Sequence, residues 1–231
     1  MTAADRPATY REVLAVREYR SLYAAQVTSL LGDQAAKVAL SIVVLDRSDN
    51  PLLAALAYAV GYLPWIVGGP ILSPLADRRP RKQIMVNCDL VRAVAVGAMA
   101  LPGVPLWLMF VLLLGVSMLM PPFEAARAAT MPDVLTGDRY VVGNSLANIS
   151  GQLSQALGFV LGGAAGSALT PRGALAVDAV TFLVSAAFIA RGVKHRPAVT
   201  RHGRPTLRAD VGAGARIVFS SRVLRSILLL A

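Results

Sequence analysis

Asp33 and Lys37 lie inside an apolar run from Tyr19 to Leu45, where an ionised side chain at mid-membrane costs about 3 kcal/mol and is usually functional. At 100° per residue, Gln26, Ser29, Asp33, Lys37 and Ser41 fall on one helical stripe. Such a stripe faces a watery cavity or another helix. Two readings stay open. Asp33 exchanges a proton or contacts a substrate, or Asp33 and Lys37, four apart, neutralise each other and lower the insertion cost. Glu124 and Arg127, three apart, read from the residues alone as an i,i+3 ion pair near the cytoplasmic interface. Asp89 and Arg92 have that spacing in a third apolar run, where the structural pair is the expectation. No nucleophile, base and orienting group share a face, so an enzyme is not expected. Cys88 is the one cysteine, and the two histidines, His195 and His202, sit in a basic loop. That set offers no metal site, and no cofactor is expected.

The elements that would position these residues are apolar runs of spanning length, at Tyr19 to Leu45, Leu52 to Ser73, Gln83 to Leu101, Pro105 to Thr130, Gly143 to Leu169 and Gly173 to Ala190. Each approaches or exceeds the ~20 residues that a bilayer core of about 30 Å requires. Hydrophobic residues form 55% of the chain and charged residues 16%, against about 25% charged in soluble domains. The first run is too long for a signal-peptide core and carries Asp33 and Lys37, so it reads as a retained helix. The expected fold class is an all-α membrane protein, with a cytoplasmic segment at 1–18, a six-helix bundle at 19–190, a cytoplasmic central loop at 191–222 and the truncated start of a seventh helix at 223–231. One amphipathic turn is expected near Leu207 to Phe219.

Charge sets the orientation. The net charge of +10 raises nucleic acid as a partner, but the basic residues occupy short polar gaps and not one amphipathic face. Arg6, Arg11, Arg17 and Arg20 lead into the first run, Arg78, Arg79, Arg81 and Lys82 separate the second from the third, and nine Arg or Lys lie from Arg191 to Arg225. The alternate gaps hold little beyond Arg47 and Arg172. Positive-inside bias then puts the N-terminus and the long loop in the cytoplasm of a multi-pass protein of the cell (inner or plasma) membrane.

The gap Ser73-Pro74-Leu75-Ala76-Asp77-Arg78-Arg79-Pro80-Arg81-Lys82 resembles motif A of the major facilitator superfamily, Gly-x-x-x-Asp-Arg/Lys-x-Gly-Arg/Lys-Arg/Lys. Asp77, Arg78, Arg81 and Lys82 match, whereas Ser73 and Pro80 stand at its two glycines. In the fifth run Gly158, Gly162 and Gly166 repeat every four residues and form a ridge for close helix packing. Asn144, Asn148, Gln152 and Gln155 continue roughly the same face. The segment Gly158 to Gly163 is similar to the Gly-Pro-x-x-Gly-Gly core of motif C, an antiporter motif, with Phe159 in place of proline. Leu31-Gly32-Asp33, Pro121 to Arg127 and Asp178 to Phe182 resemble the exporter branch that includes enterobactin-type siderophore exporters and macrolide-efflux-like permeases.

That resemblance implies the N-terminal half of a proton-coupled exporter of a small amphipathic molecule, drug or siderophore-like. Asp77 and Arg81 would belong to a gating cluster, and Arg127 would be a cavity or coupling residue. The implied partners are the lipid bilayer, the substrate, protons and a missing C-terminal half, and no nucleic acid. The residues alone leave two rivals open, a six-helix permease subunit served by a separate ATPase and a non-transporting membrane scaffold. The arginine asymmetry is checked by fusion reporters. One near Gly203 should be active only as a cytoplasmic fusion and one near Pro102 only outside, and the reverse pattern would reject the orientation.

Overall fold

The computed structural model describes residues 8–61, 79–168 and 170–197, with the backbone alone for 159–168. Every regular element among them is helical: α1 (Tyr10–Ala15), α2 (Arg17–Ser48), α3 (Pro51–Val60), α4 (Arg81–Met99), α5 (Leu106–Met118), α6 (Met120–Val134), α7 (Asp138–Ala168) and α8 (Pro171–Gly192). The runs Arg17–Ser48, Leu106–Val134 and Pro171–Gly192 are long and apolar enough to cross a membrane. Asp77, Arg78, most of the second run and the amphipathic turn near Leu207 lie outside the described residues.

Local chemistry explains the helix ends. Thr9 and Glu12 close a capping box that starts α1, a helix absent from the sequence expectation for residues 1–18. Between α2 and α3, Asp49 takes a left-handed conformation at φ 49°, which short polar side chains tolerate. Asn50 then accepts hydrogen bonds from the Leu52 and Leu53 amides, with Pro51 opening α3. Thr170 accepts from the Gly173 amide, and Pro171 opens α8.

The fourth apolar run differs from the expectation. It is two helices, broken at Leu119 and extended to Val134. Pro121 and Pro122 have no N–H to donate to the carbonyls of residues 117 and 118, and each ring crowds the carbonyl four residues back. The path continues in nearly the same sense because prolines are tolerated in a helix's first turn. The polar gap after it shrinks to Leu135–Gly137, since Asp133 and Asp138 are themselves helical.

α2 is the central element, packed against α8, α7 and α3, while α4 packs against α8, α6 and α5. Two apolar clusters form the core. One gathers Tyr19, Leu22, Met85, Phe123, Met131 and Ile189 near the ends that carry Arg17 and Arg81. The other gathers Leu40, Val44, Val96, Met109, Leu113 and Phe182 toward the opposite end. Outward, Leu52, Val94, Trp107, Val111 and Val180 are each more than half exposed. Water would penalise that surface and lipid does not.

Two glycines set how closely the helices approach. A Cβ on Gly32 would collide with Thr181 Oγ1 and Asp178 Oδ1 of α8, and one on Gly158 of α7 would collide with Gln34 Cβ of α2. Gly158 is thus a packing contact, while the surroundings of Gly162 and Gly163 lie outside the described side chains. The amides do not share that contact. On α7, Gly143, Ala147, Ser154 and Gly158 are buried, whereas Asn148, Gln152 and Gln155 are exposed on the adjoining flank. At 100° per residue, Gly158 lies about 60° from Gln155, about 80° from Asn148 and about 120° from Gln152, so the buried row and the amide row adjoin and do not coincide. Gly32→Ala should cost about 1–3 kcal/mol through overpacking. Gly115→Ala, whose methyl would meet nothing within 4 Å, should leave the Tm unchanged or raise it. Thermal unfolding in detergent compares the two.

Candidate functional site

Between the two apolar clusters lies a polar layer built from α2, α4, α6 and α8. Asp33 and Lys37 of α2, Arg92 of α4, Ser117 and Met120 beside the α5/α6 break, and Asp178 of α8 line one cavity. Leu40, Val96, Met99, Leu113, Val116 and Leu175 form its apolar wall. The volume is about 60 Å³, enough to admit water and far below what a drug-sized molecule fills. Asp33 and Lys37 are partly exposed, as the polar stripe implied, and the i,i+4 spacing puts both side chains on that cavity.

Arg92 and Asp178 were not read as site residues from the sequence. Asp89 and Arg92 do form an ion pair, 3.6 Å between Oδ1 and the guanidinium, with 0% and 2% of their side chains exposed. The pair is incompletely satisfied, since Asp89 Oδ1 and Arg92 Nε have no hydrogen-bond partner. Ser185 donates to Asp89 Oδ2 at 2.6 Å. The guanidinium lies 5.1 Å from the Phe123 ring centroid and 5.5 Å from that of Phe182, close enough for cation–π attraction. Asp178 is 1% exposed and accepts from Thr181 Oγ1 at 3.1 Å. One signal was available in the sequence. Asp178 is the lone acid within Gly173 to Ala190, and a lone intramembrane acid requires a partner on another helix.

Glu124 and Arg127 stand apart from the lining of that cavity. Arg127 donates to Glu124 Oε2 at 3.0 and 2.7 Å and to Gln26 Oε1 at 3.0 Å. The i,i+3 pair is therefore tied to the α2 stripe, on the face of Asp33 and about two turns before it. Nearby, Tyr23 and Ser150 share a 2.6 Å hydrogen bond, and Tyr19 donates to the Gly143 carbonyl at 2.9 Å.

At the basic end, the described part of the 73–82 gap joins a charge chain. Arg81 donates to the Ala129 carbonyl at 2.5 Å and to Asp133 at 2.8 Å. Asp133 lies 3.8 Å from Arg196 Nε, and Arg196 in turn contacts both carboxylate oxygens of Glu18. The Lys194 amide also donates to Glu18, at 3.0 Å. Lys82 is half-buried in the first turn of α4. The hydrogen bonds to Glu18, with its negative charge, raise the Arg196 pKa above the ordinary guanidinium value. This chain fastens α2, α4, α6 and the segment after α8 at one level. Among the described residues no group of three or more His, Cys, Asp or Glu side chains could hold a metal.

Residues 22–231 match the Major Facilitator Superfamily. Macrolide efflux protein A of Streptococcus pyogenes is 24% identical over 124 residues, which are 50% of this chain and 31% of that protein. An MFS-type transporter of Mycobacterium tuberculosis is 28% identical over 158 residues, 64% of this chain and 35% of its own length. Another from Bacillus subtilis, YkuC, is 26% identical over 178 residues, 75% of this chain and 41% of that protein. The chain thus spans between about a third and two fifths of the length of these relatives.

The charge chain makes its own expectation. Glu18→Gln should lower stability by about 1 kcal/mol, the range of a partly exposed ion pair. The loss should shrink at high salt, which screens the charged form only. Thermal unfolding in detergent at low and high salt reads both effects.

Proposed function

The chain belongs to the Major Facilitator Superfamily, and from that premise we propose that it forms one six-helix half of a proton-coupled exporter of a small amphipathic molecule. Membership of a transporter family makes the bilayer its environment. The proposed spans are α2, the run 52–73 that α3 begins, α4, α5 with α6, α7, and α8. Facilitator halves carry two three-helix inverted repeats and rock about a midplane site, with the wall opposite supplied by a second bundle. The matched share of the relatives leaves length for that second bundle. The exposed amides Asn148 and Gln152 would face it.

The observation that carries the proposal is the cavity in which Asp33, Lys37, Arg92 and Asp178 meet an apolar wall. Apolar surface with a few convergent charges suits one wall of an amphipathic ligand's site, and the second bundle would supply the remaining volume. A proton on Asp33 and a substrate against this wall would favour opposite orientations, so each displaces the other's preferred state. Efflux is taken from the printed name of the streptococcal relative. Within this reading Glu124 and Arg127 relay charge below the cavity. Asp77, Arg78, Arg81 and Lys82 gate the cytoplasmic side, and Gly158, Gly162 and Gly163 give the antiporter-like helix contact. The N-terminus lies in the cytoplasm, the protein in the cell membrane, and the work is transport and not enzymatic catalysis.

Asp33 decides between coupling and charge balance. In the full-length protein reconstituted in proteoliposomes, Asp33→Asn should abolish erythromycin-induced proton movement by at least tenfold while erythromycin binding stays measurable. If Asp33 only balances Lys37, the Asp33→Asn, Lys37→Met protein should regain normal proton flux, which would rule out Asp33 as the coupling acid. ATP-dependent uptake with no proton movement would favour the permease-subunit rival.

A further inference from the structure

The buried ion pair on α4 is built as a shared contact and not as a closed one. A closed Asp–Arg pair is bidentate, with two short N–H···O bonds. Here the nearest approach is 3.6 Å, and Asp89 Oδ1 and Arg92 Nε have no hydrogen-bond partner although both side chains are almost fully buried. An under-satisfied buried polar group costs about 1–3 kcal/mol, so this arrangement persists only if the guanidinium is drawn elsewhere as well. Its Nη2 donates to the Met120 sulfur at 3.3 Å, on the border of the cavity. Arg92 lines the cavity with Asp33 and Asp178, and its flat faces rest near Phe123 and Phe182, which hold a cation without fixing its in-plane direction.

We infer that Arg92 is the positioning residue of coupling, a single cation shared between Asp89 on one side and the cavity acids Asp33 and Asp178 on the other. When Asp33 and Asp178 are both ionised, the guanidinium stays drawn toward the cavity and the Asp89 contact stays long. When a proton from the cavity water neutralises one of them, the pull weakens and the guanidinium closes on Asp89, satisfying Oδ1 and Nε together. Release of the proton to water reverses the shift. The charged and titratable groups around this movement are Asp33 and Lys37 from α2, Cys88 and Asp89 from α4, Glu124 from α6 and Asp178 from α8. Arg92 borders the cavity and also reaches Asp89, at 3.6 Å, which places it to serve both sides. In its consequence for transport the inference rests on the proton-coupled reading above. Its test does not, because it needs no substrate.

The test is a pH titration of the protonated-carboxyl infrared band in the full chain in nanodiscs, with Asp33→Asn and Asp178→Asn identifying the cavity contribution. Asp89→Asn leaves the whole cation to the cavity and should lower the cavity midpoint by about one pH unit, tenfold in proton affinity. Loss of a nearby negative charge alone also lowers it, so the decisive quantity is a double-mutant cycle. With Arg92→Gln present, the shift caused by Asp89→Asn should fall to less than half. Equal shifts with and without Arg92→Gln would overturn the inference. Should Arg92→Gln not yield folded protein, Arg92→Lys takes its place. A single ammonium keeps the charge but lacks the fork that spans both sides, so the same fall is expected and the same equality overturns it. A normal cycle together with absent proton-driven export would leave the sharing intact and reject only the exporter reading.

Discussion

A guanidinium that is 2% exposed in the middle of an apolar bundle must be answered from inside the bundle, because neither lipid nor bulk water can solvate it there. Four helices converge to do so. α4 brings Asp89, α8 brings Phe182 and Asp178, α6 brings Phe123 and Met120, and α2 brings Asp33 to the cavity that Arg92 lines. The convergence fixes helix spacing. α2 can reach this layer only because Gly32 lets Asp178 and Thr181 sit where a Cβ would otherwise stand. The two apolar clusters lie on either side of the layer. They supply most of the burial and none of the charge balance.

The polar contacts at the basic end have a different character. Arg81, Asp133, Arg196 and Glu18 have side-chain exposures between 10% and 43%, so solvent screens them and each pair contributes about 1 kcal/mol or less. Breaking a fully buried pair by removing one partner costs about 3–5 kcal/mol. The basic-end contacts are therefore weak and local to this bundle, while the polar layer resists being pulled apart.

Much of the framework was legible because membrane constraints act on composition and length. Among the described residues helix positions follow from apolar runs, and the α2 stripe follows from 100° periodicity, which sets Asp33 and Lys37 on one face. Pro121 and Pro122 mark the break at Leu119, although the apolar run across them is continuous. Arg92 and Asp178 were missed for a physical reason. Asp89 and Arg92 look self-sufficient at i,i+3, and only the three-dimensional arrangement reveals that their contact is long and that Arg92 also borders the cavity. Glu18 and Arg196, separated by 178 residues, have no local signature at all.

The proline break belongs to the same argument. Ser117 and Met120 both border the cavity, so the interruption at Leu119 occurs at the depth of the polar layer and not at a membrane surface. Neither Pro121 nor Pro122 can donate to the α5 carbonyls, and irregular backbone at membrane depth is tolerated where it lines a cavity. The same turn sets Phe123 over one face of the Arg92 guanidinium and Met120 sulfur 3.3 Å from its Nη2. Leu119 keeps right-handed helical angles, so the two prolines remove hydrogen bonds beside the cavity without changing the course of the chain, next to the α6 side chains that contact Arg92.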